Sequence, residues 1–366
     1  MRRIISVIFA AVFLLRTAAA GAYAAAEPAV HAQTAVLIDA ATGEVLYGRG
    51  EDRRMQPASM TKIMTALVVL DTLPLDLSVT VTPSAVGIEG SSAQLEAGEV
   101  FSVEELLYAL LLGSANDAAA ALAEACGGAD LFVSMMNDTA GRLGLSGTHF
   151  ANPHGLPDAD HYSTAADIAA LLCRCMENDD FARICGTRQY VIRPGENRRG
   201  RCFTNHNRLL SEIDGVTGGK TGYTSSSGRC LCSLYDKDGV KLCAVTMNDP
   251  DDWNDHRRMY EYGASLYREV IIDVDRTFTL HVVGGLTDVA ECTVKERKKL
   301  MVRADGTPEM TLYMRRFEYA PVAAGEQIGE AVWQIGGRTV YRIKLYADNK
   351  VEAYDNSVGD FFRWRK

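Results

Sequence analysis

The period of apolar positions changes several times along the chain, and each change marks an element. Ala35-Val-Leu-Ile-Asp39 and Glu44-Val-Leu-Tyr47 are short apolar runs flanking Ala41-Thr42-Gly43, which predicts a strand–turn–strand hairpin. After Pro57-Ala58-Ser59, the residues Ile63, Met64, Leu67 and Val68 recur at helical spacing, so a buried helix is expected from near Ser59 to Leu70. Ser102-Val-Glu-Glu105 is a capping box ahead of the run Leu106 to Leu112. Two further helices are expected, Asp117 to Cys126 ending at Gly127-Gly128 and Asp130 to Leu143 ending at Gly144. Residues 149–163, with Pro153, Gly155 and Pro157, have the composition of a loop, and Thr164 to Met176 is again amphipathic. Strand patterns return at Gly215 to Thr221, then at Arg229 to Tyr235 and Val240 to Met247 around the turn Lys237-Asp238-Gly239. Trp253 to Tyr267 has the pattern of a helix lying on that sheet.

Strands therefore open and close the first domain, with helices inserted between them. That order predicts an α+β domain rather than alternating βαβ units. From about Asp273 the texture changes. Thr277 to Val283, Met310 to Met314 and Thr339 to Tyr346 alternate with turn residues and predict a small all-β domain.

A length of 366 residues suits two domains. A net charge of −9 without a basic stripe excludes a general nucleic-acid binder. Arg2 and Arg3 precede the apolar run Ile4 to Leu15, and small-x-small sites follow at Ala22-Tyr23-Ala24 and Ala24-Ala25-Ala26. This is the pattern of a cleaved secretory signal, with a mature chain outside the cytoplasm. An uncleaved membrane anchor is the alternative, but Arg16 cuts the apolar run short. The expected organisation is a signal peptide over 1–26, a catalytic domain over 27–272, a β-sandwich over 273–360 and a short basic-aromatic tail over 361–366. The nine cysteines are an odd number, so at least one stays unpaired within the chain. Cys230 and Cys232 are C-x-C; on a strand both point to one face and serve as small core hydrophobes. The seven histidines lack metal-site spacing, and neither metal nor cofactor is implied. His154 and His161, both in the 149–163 loop, fit structural roles better than catalytic ones.

Three motifs carry the chemistry. Ser59-Met60-Thr61-Lys62 starts a helix, Ser114-Ala115-Asn116 joins two helices, and Lys220-Thr221-Gly222 lies on a strand. Each alone has a bland reading: a solvated helical pair, a capping string, an edge strand. In this order and these settings they become specific. A serine hydroxyl needs an adjacent base, and three residues of helix put Ser59 and Lys62 on one face. Lys62 acts as base only when neutral, and burial beside another cation such as Lys220 would depress its pKa. Gly222 permits close approach of an extended peptide beside the strand.

With these motifs, and with Gln56 to Lys62, Gly113 to Asp117, His154-Gly-Leu156, Tyr162 to Ala165, Asn205 to Leu210 and Gly219 to Gly222, the chain resembles the serine D-alanyl-D-alanine carboxypeptidases, the low-molecular-mass penicillin-binding proteins. The resemblance covers almost all of the mature chain. It implies a β-lactamase/penicillin-binding-protein-like domain, an antiparallel sheet with flanking and inserted helices, followed by a small all-β domain. It also implies removal of the terminal D-alanine from peptidoglycan pentapeptide stems, with β-lactams as covalent inhibitors. In its terms Ser59 is the acylated nucleophile, Lys62 the base, and Ser114 the proton relay to the leaving D-alanine. Asn116 holds the substrate amide, Lys220 and Thr221 the terminal carboxylate, and the N–H groups of Ser59 and Tyr223 the oxyanion. A β-lactamase is the nearest rival, but residues 117–219 contain no Glu-x-x-x-Asn segment. A non-catalytic β-lactam sensor or wall-binding module is the other; every motif residue is retained. The stub Phe361-Phe-Arg-Trp-Arg-Lys366 offers at most a weak contact with a membrane surface.

Overall fold

The computed structural model describes residues 26–354. The signal segment, apart from its last residue, and the tail over 361–366 lie outside the described residues. One compact unit ends at Ser265 and a second begins at Leu266. The first contains, in chain order, β1 (Thr34–Asp39), β2 (Val45–Arg49), a 3₁₀ turn (Ala58–Thr61), α1 (Lys62–Thr72), β3 (Ser78–Thr80), β4 (Val100–Ser102), α2 (Val103–Leu111) and α3 (Asn116–Ala125). There follow α4 (Ala129–Arg142), α5 (Ala165–Met176), α6 (Asp179–Cys185), β5 (Gln189–Ile192), β6 (Arg201–Thr204) and a short α7 (Leu209–Glu212). The unit closes with β7 (Val216–Thr224), β8 (Gly228–Lys237), β9 (Val240–Met247) and α8 (Asp252–Ser265).

The main sheet has the order β2-β1-β9-β8-β7 and is antiparallel throughout. The first strands of the chain therefore pair with the last of the unit, and β7 is left as an edge. Helix α8 packs on β8 and β9, and α5 packs on β1, β8 and β9. With cover on both faces, β9 is almost continuously apolar and buried instead of alternating. Cys230 and Cys232 are both buried on β8, as the C-x-C spacing predicted. No disulfide joins any of the nine cysteines. The capping box forms as read: Ser102 Oγ accepts from Glu105 N, and Glu105 returns the bond to Ser102 N.

The second unit holds β10 (Tyr267–Val283), β11 (Val289–Arg303), β12 (Glu309–Met314), β13 (Glu318–Tyr319), β14 (Gln327–Ile335) and β15 (Arg338–Tyr346). It is all-β, with the sheets β11-β10-β13 and β12-β14-β15. Ile272, Phe278 and Cys292 of the first sheet and Ile328, Trp333 and Leu345 of the second share one buried core. Tyr267 pairs with Arg303, so residues 267–272, read from the sequence as the end of the first domain, are the opening of β10. The periodic helix before them stops at Ser265.

One feature of the first unit shapes the site directly. Asp117, in the first turn of α3, is 1% exposed. Its carboxylate accepts from Ser92 Oγ at 2.6 Å, Ala93 N at 2.9 Å and Leu95 N at 3.0 Å. Asn116 adds two main-chain ties to the same segment: its N–H donates to Ser91 O at 2.7 Å, and its Nδ2 to Glu89 O at 2.5 Å. The loop 89–95 is thus stapled to the start of α3, where the helix dipole also favours the carboxylate. Asp117→Ala leaves buried N–H donors unpaired and is expected to cost about 3 kcal/mol. Urea unfolding of the variant beside the wild type measures it.

Candidate active site

Ser59 and Lys62 are positioned by the 3₁₀ turn that precedes α1. The sequence predicted a regular helix from near Ser59; the tighter turn has about three residues per turn, so side chains at i and i+3 lie one over the other. Lys62 Nζ lies 2.9 Å from Ser59 Oγ. The same nitrogen donates to Asn116 Oδ1 at 2.7 Å and to the main-chain oxygen of His154 at 2.6 Å. Lys62 is fully buried, and burial first, then the charge of Lys220, pushes its amine well below the usual lysine range; Asp117 pulls it back. A neutral amine has two N–H groups and one lone pair. In that form, with its N–H groups on the two carbonyl oxygens, the lone pair would be left for the Ser59 hydroxyl.

The second and third motifs meet across the cleft. Lys220 Nζ donates to Ser114 Oγ at 3.1 Å and to Thr221 O at 3.0 Å. Burial pushes the Lys220 amine down to about 8, opposed by the nearby thiols of Cys232 and Cys185. Ser114 itself has φ of +58°, in the left-handed region, where the turn between α2 and α3 directs its side chain toward β7. A cavity of about 450 Å³ is lined by Ser59, Ser114, Thr221, Gly222 and Tyr223, with Trp253 on the α8 side. All eight residues singled out in the sequence surround this one cleft: Ser59, Lys62 and Asn116 on one wall, Ser114 between, and Lys220 to Tyr223 along the edge strand.

Backbone crowding fixes Ser59. Ala58, just before Ser59, has φ of +48°, a conformation that costs an alanine about 1–2 kcal/mol. A Cβ on Gly155 would fall 2.0 Å from Ala58 O. A Cβ on Gly222 would fall 3.0 Å from Pro57 O and 3.1 Å from Ser59 N. Glycine at both places lets the 149–163 loop and the edge strand close on the turn.

Sequence reasoning passed over three contributors. His154 acts through its main-chain oxygen, and a carbonyl leaves no trace in residue type. Its ring is neutral, pushed down to about 4 by burial, then by Lys62 and His161. Asp117 was read only as the start of a helix and the last residue of the Gly113 to Asp117 string. Arg229 and Asp252, joined at 2.5 Å, line the far wall of the cavity and had no motif to mark them.

A serine beside a buried lysine of depressed pKa, facing a strand edge that bears a second lysine, is an arrangement that suits serine acyl transfer. Residues 21–251 match the family model described as D-alanyl-D-alanine carboxypeptidase, and residues 288–353 match that of the penicillin-binding protein 5 C-terminal domain. The chain belongs to the D-alanyl-D-alanine carboxypeptidase family and is a hydrolase of that class. It is 31% identical to D-alanyl-D-alanine carboxypeptidase DacF of Bacillus subtilis (strain 168), over 93% of this chain and 92% of that protein. Among solved structures it resembles penicillin-binding protein 5 from Haemophilus influenzae, with a TM-score of 0.64 and 26% identity over 89% of this chain and 99% of that one. The DD-transpeptidase of Streptomyces K15 is also similar, with a TM-score of 0.63 and 31% identity over 66% of this chain and all of that one (100%).

Lys62→Ala is expected to lower the rate of acylation by a β-lactam roughly 10²–10⁴-fold, the usual cost of losing a positioned base. Intact-mass spectrometry against time measures it; a wild-type rate would leave Lys62 as a buried helix residue and nothing more.

Proposed function

We propose that the protein acts outside the cytoplasm, removing the terminal D-alanine from peptidoglycan pentapeptide stems through an acyl-enzyme on Ser59. The observation that carries this reading is the buried Lys62 nitrogen, 2.9 Å from Ser59 Oγ and held by Asn116 Oδ1 and His154 O at 2.7 and 2.6 Å. The stem lies extended beside the edge of β7. Its terminal carboxylate meets the Lys220 ammonium and the Thr221 hydroxyl, and the Asn116 amide steadies the substrate amide. Ser59 Oγ attacks the carbonyl carbon of the penultimate D-alanine as its proton passes to Lys62. The oxyanion is held by the N–H groups of Ser59 and Tyr223. The C–N bond then breaks; the proton that Lys62 took from Ser59 passes through the Ser114 hydroxyl to the leaving amine, which restores both Lys62 and Ser114. Water enters where D-alanine left and hydrolyses the ester.

β-Lactams follow the first half of this path and stall at the second. Their leaving group stays tethered and covers the approach of water. Residues 117–219 hold no Glu-x-x-x-Asn segment to supply a carboxylate base for the deacylating water of a β-lactamase. The expected result is steady D-alanine release from diacetyl-Lys-D-Ala-D-Ala, with a penicillin adduct on Ser59 that persists for hours. Fast penicillin hydrolysis without D-alanine release would reverse the reading.

The pH profile adds a second check. Lys62 must be neutral, so the rate rises with pH through its depressed pKa. Lys220 must be charged to hold the carboxylate, so kcat/KM falls as pH passes about 8. In Lys220→Arg the alkaline limb should vanish, because guanidinium keeps its charge. An unchanged alkaline limb in that variant would detach it from Lys220.

A further inference from the structure

We infer that His161, a residue outside the three motifs, is a positioning residue that aims the Ser59 N–H at the oxyanion through Thr61 and the Ala58 carbonyl. This rests on the proposed acylation of Ser59. His161 is 1% exposed, and its ring meets Phe150 edge-on at 5.7 Å. Its Nδ1 accepts from Ala151 N at 3.0 Å. Its Nε2 lies 2.7 Å from Thr61 Oγ1, and Thr61 Oγ1 lies 2.8 Å from Ala58 O.

The direction of this chain follows from counting hydrogens. Ala58 O can only accept, so the Thr61 hydroxyl spends its one hydrogen there. Thr61 Oγ1 must then accept from His161, so Nε2 carries the ring hydrogen. Ala151 N can only donate, so Nδ1 is bare. Both ends of the ring demand the same neutral tautomer, with no freedom left.

The chain ends on an atom that matters. Ala58 C=O and Ser59 N–H belong to one planar trans peptide and point in opposite directions. Fixing the oxygen therefore fixes the N–H. That peptide follows a residue in the left-handed region, φ +48°, which an alanine leaves unless held. Gly155 closes over the same oxygen, and the same loop supplies His154 O to Lys62. The 149–163 loop thus orients the base from one point and the oxyanion donor from another.

The test is the kinetics of acylation by benzylpenicillin, resolved into the binding constant and the acylation rate constant, with adduct stoichiometry by intact mass. His161→Phe keeps the ring on Phe150 and removes both hydrogen bonds. Its rate constant should fall roughly ten- to a hundredfold, the scale of a misplaced catalytic group, with binding unchanged and one adduct still formed per molecule. His161→Gln places an amide nitrogen where Nε2 was and should recover most of the rate. Thr61→Val should fall like His161→Phe, and Thr61→Ser should stay near wild type. A wild-type rate constant in His161→Phe overturns the inference. So does a fall in stoichiometry alone, with each acylatable molecule reacting at the wild-type rate, since that is what a merely structural histidine would give. Should His161→Phe not fold, equal rates in Thr61→Val and Thr61→Ser overturn it equally well. Absence of a wild-type adduct on Ser59 would instead defeat the proposed function.

Discussion

The structure is organised around a lysine amine that water cannot reach. Removing an ammonium from water costs several kcal/mol even after relaxation, so a buried lysine gives up its proton or gains a partner anion. Lys62 has no carboxylate in hydrogen-bond contact. It has Asn116 Oδ1, His154 O and the hydroxyl of Ser59, all neutral. None of them cancels an ammonium's charge, so burial lowers the lysine's pKa, and the nearby Lys220 pushes the same way. Each contact comes from a different part of the chain: the turn before α1, the start of α3, and the 149–163 loop. The open sheet, in which β1 pairs with β9 and β7 stands at an edge, packs that edge against the turn before α1.

Much of this was legible in the sequence because it is written in residue type. The Ser59/Lys62 spacing, the Ser102–Glu105 capping box and the Lys237-Asp238-Gly239 turn each announce a local geometry. The strand Val240–Met247 was read to the residue. What escaped was written in the backbone or hidden by charge. The carbonyl of His154 and the left-handed Ala58 have no side-chain signature, since alanine gives no hint of positive φ. Strand β11 was not read because Lys295 to Lys299 places a charge at every position, although only its inward residues, such as Cys292 and Val294, need be apolar in an open-faced sheet. The β5–β6 hairpin was missed for a related reason, because Arg193 to Arg201 has the composition of a solvated loop. The unit boundary is displaced because the helix and β10 meet without a turn signal between Ser265 and Tyr267.

In the proposed reaction Lys220 has the reverse requirement to Lys62, keeping its proton while buried. Its partners, Ser114 Oγ and Thr221 O, are neutral and do not cancel its charge. Two cysteines lie under the same strand. Cys185 Sγ accepts from Gly219 N at 3.1 Å, and Cys232 Sγ donates to Lys220 O at 3.5 Å. As thiolates they would pair with Lys220 and cancel its charge. Burial prevents this, raising the Cys185 thiol to about 11 and the Cys232 thiol still higher. The thiols therefore fill space as small hydrophobes and leave the cation uncompensated. An uncompensated buried cation is costly, and burial pulls Lys220 down to about 8. It keeps its charge by a narrow margin at neutral pH, and an arriving carboxylate would restore the balance that the fold withholds.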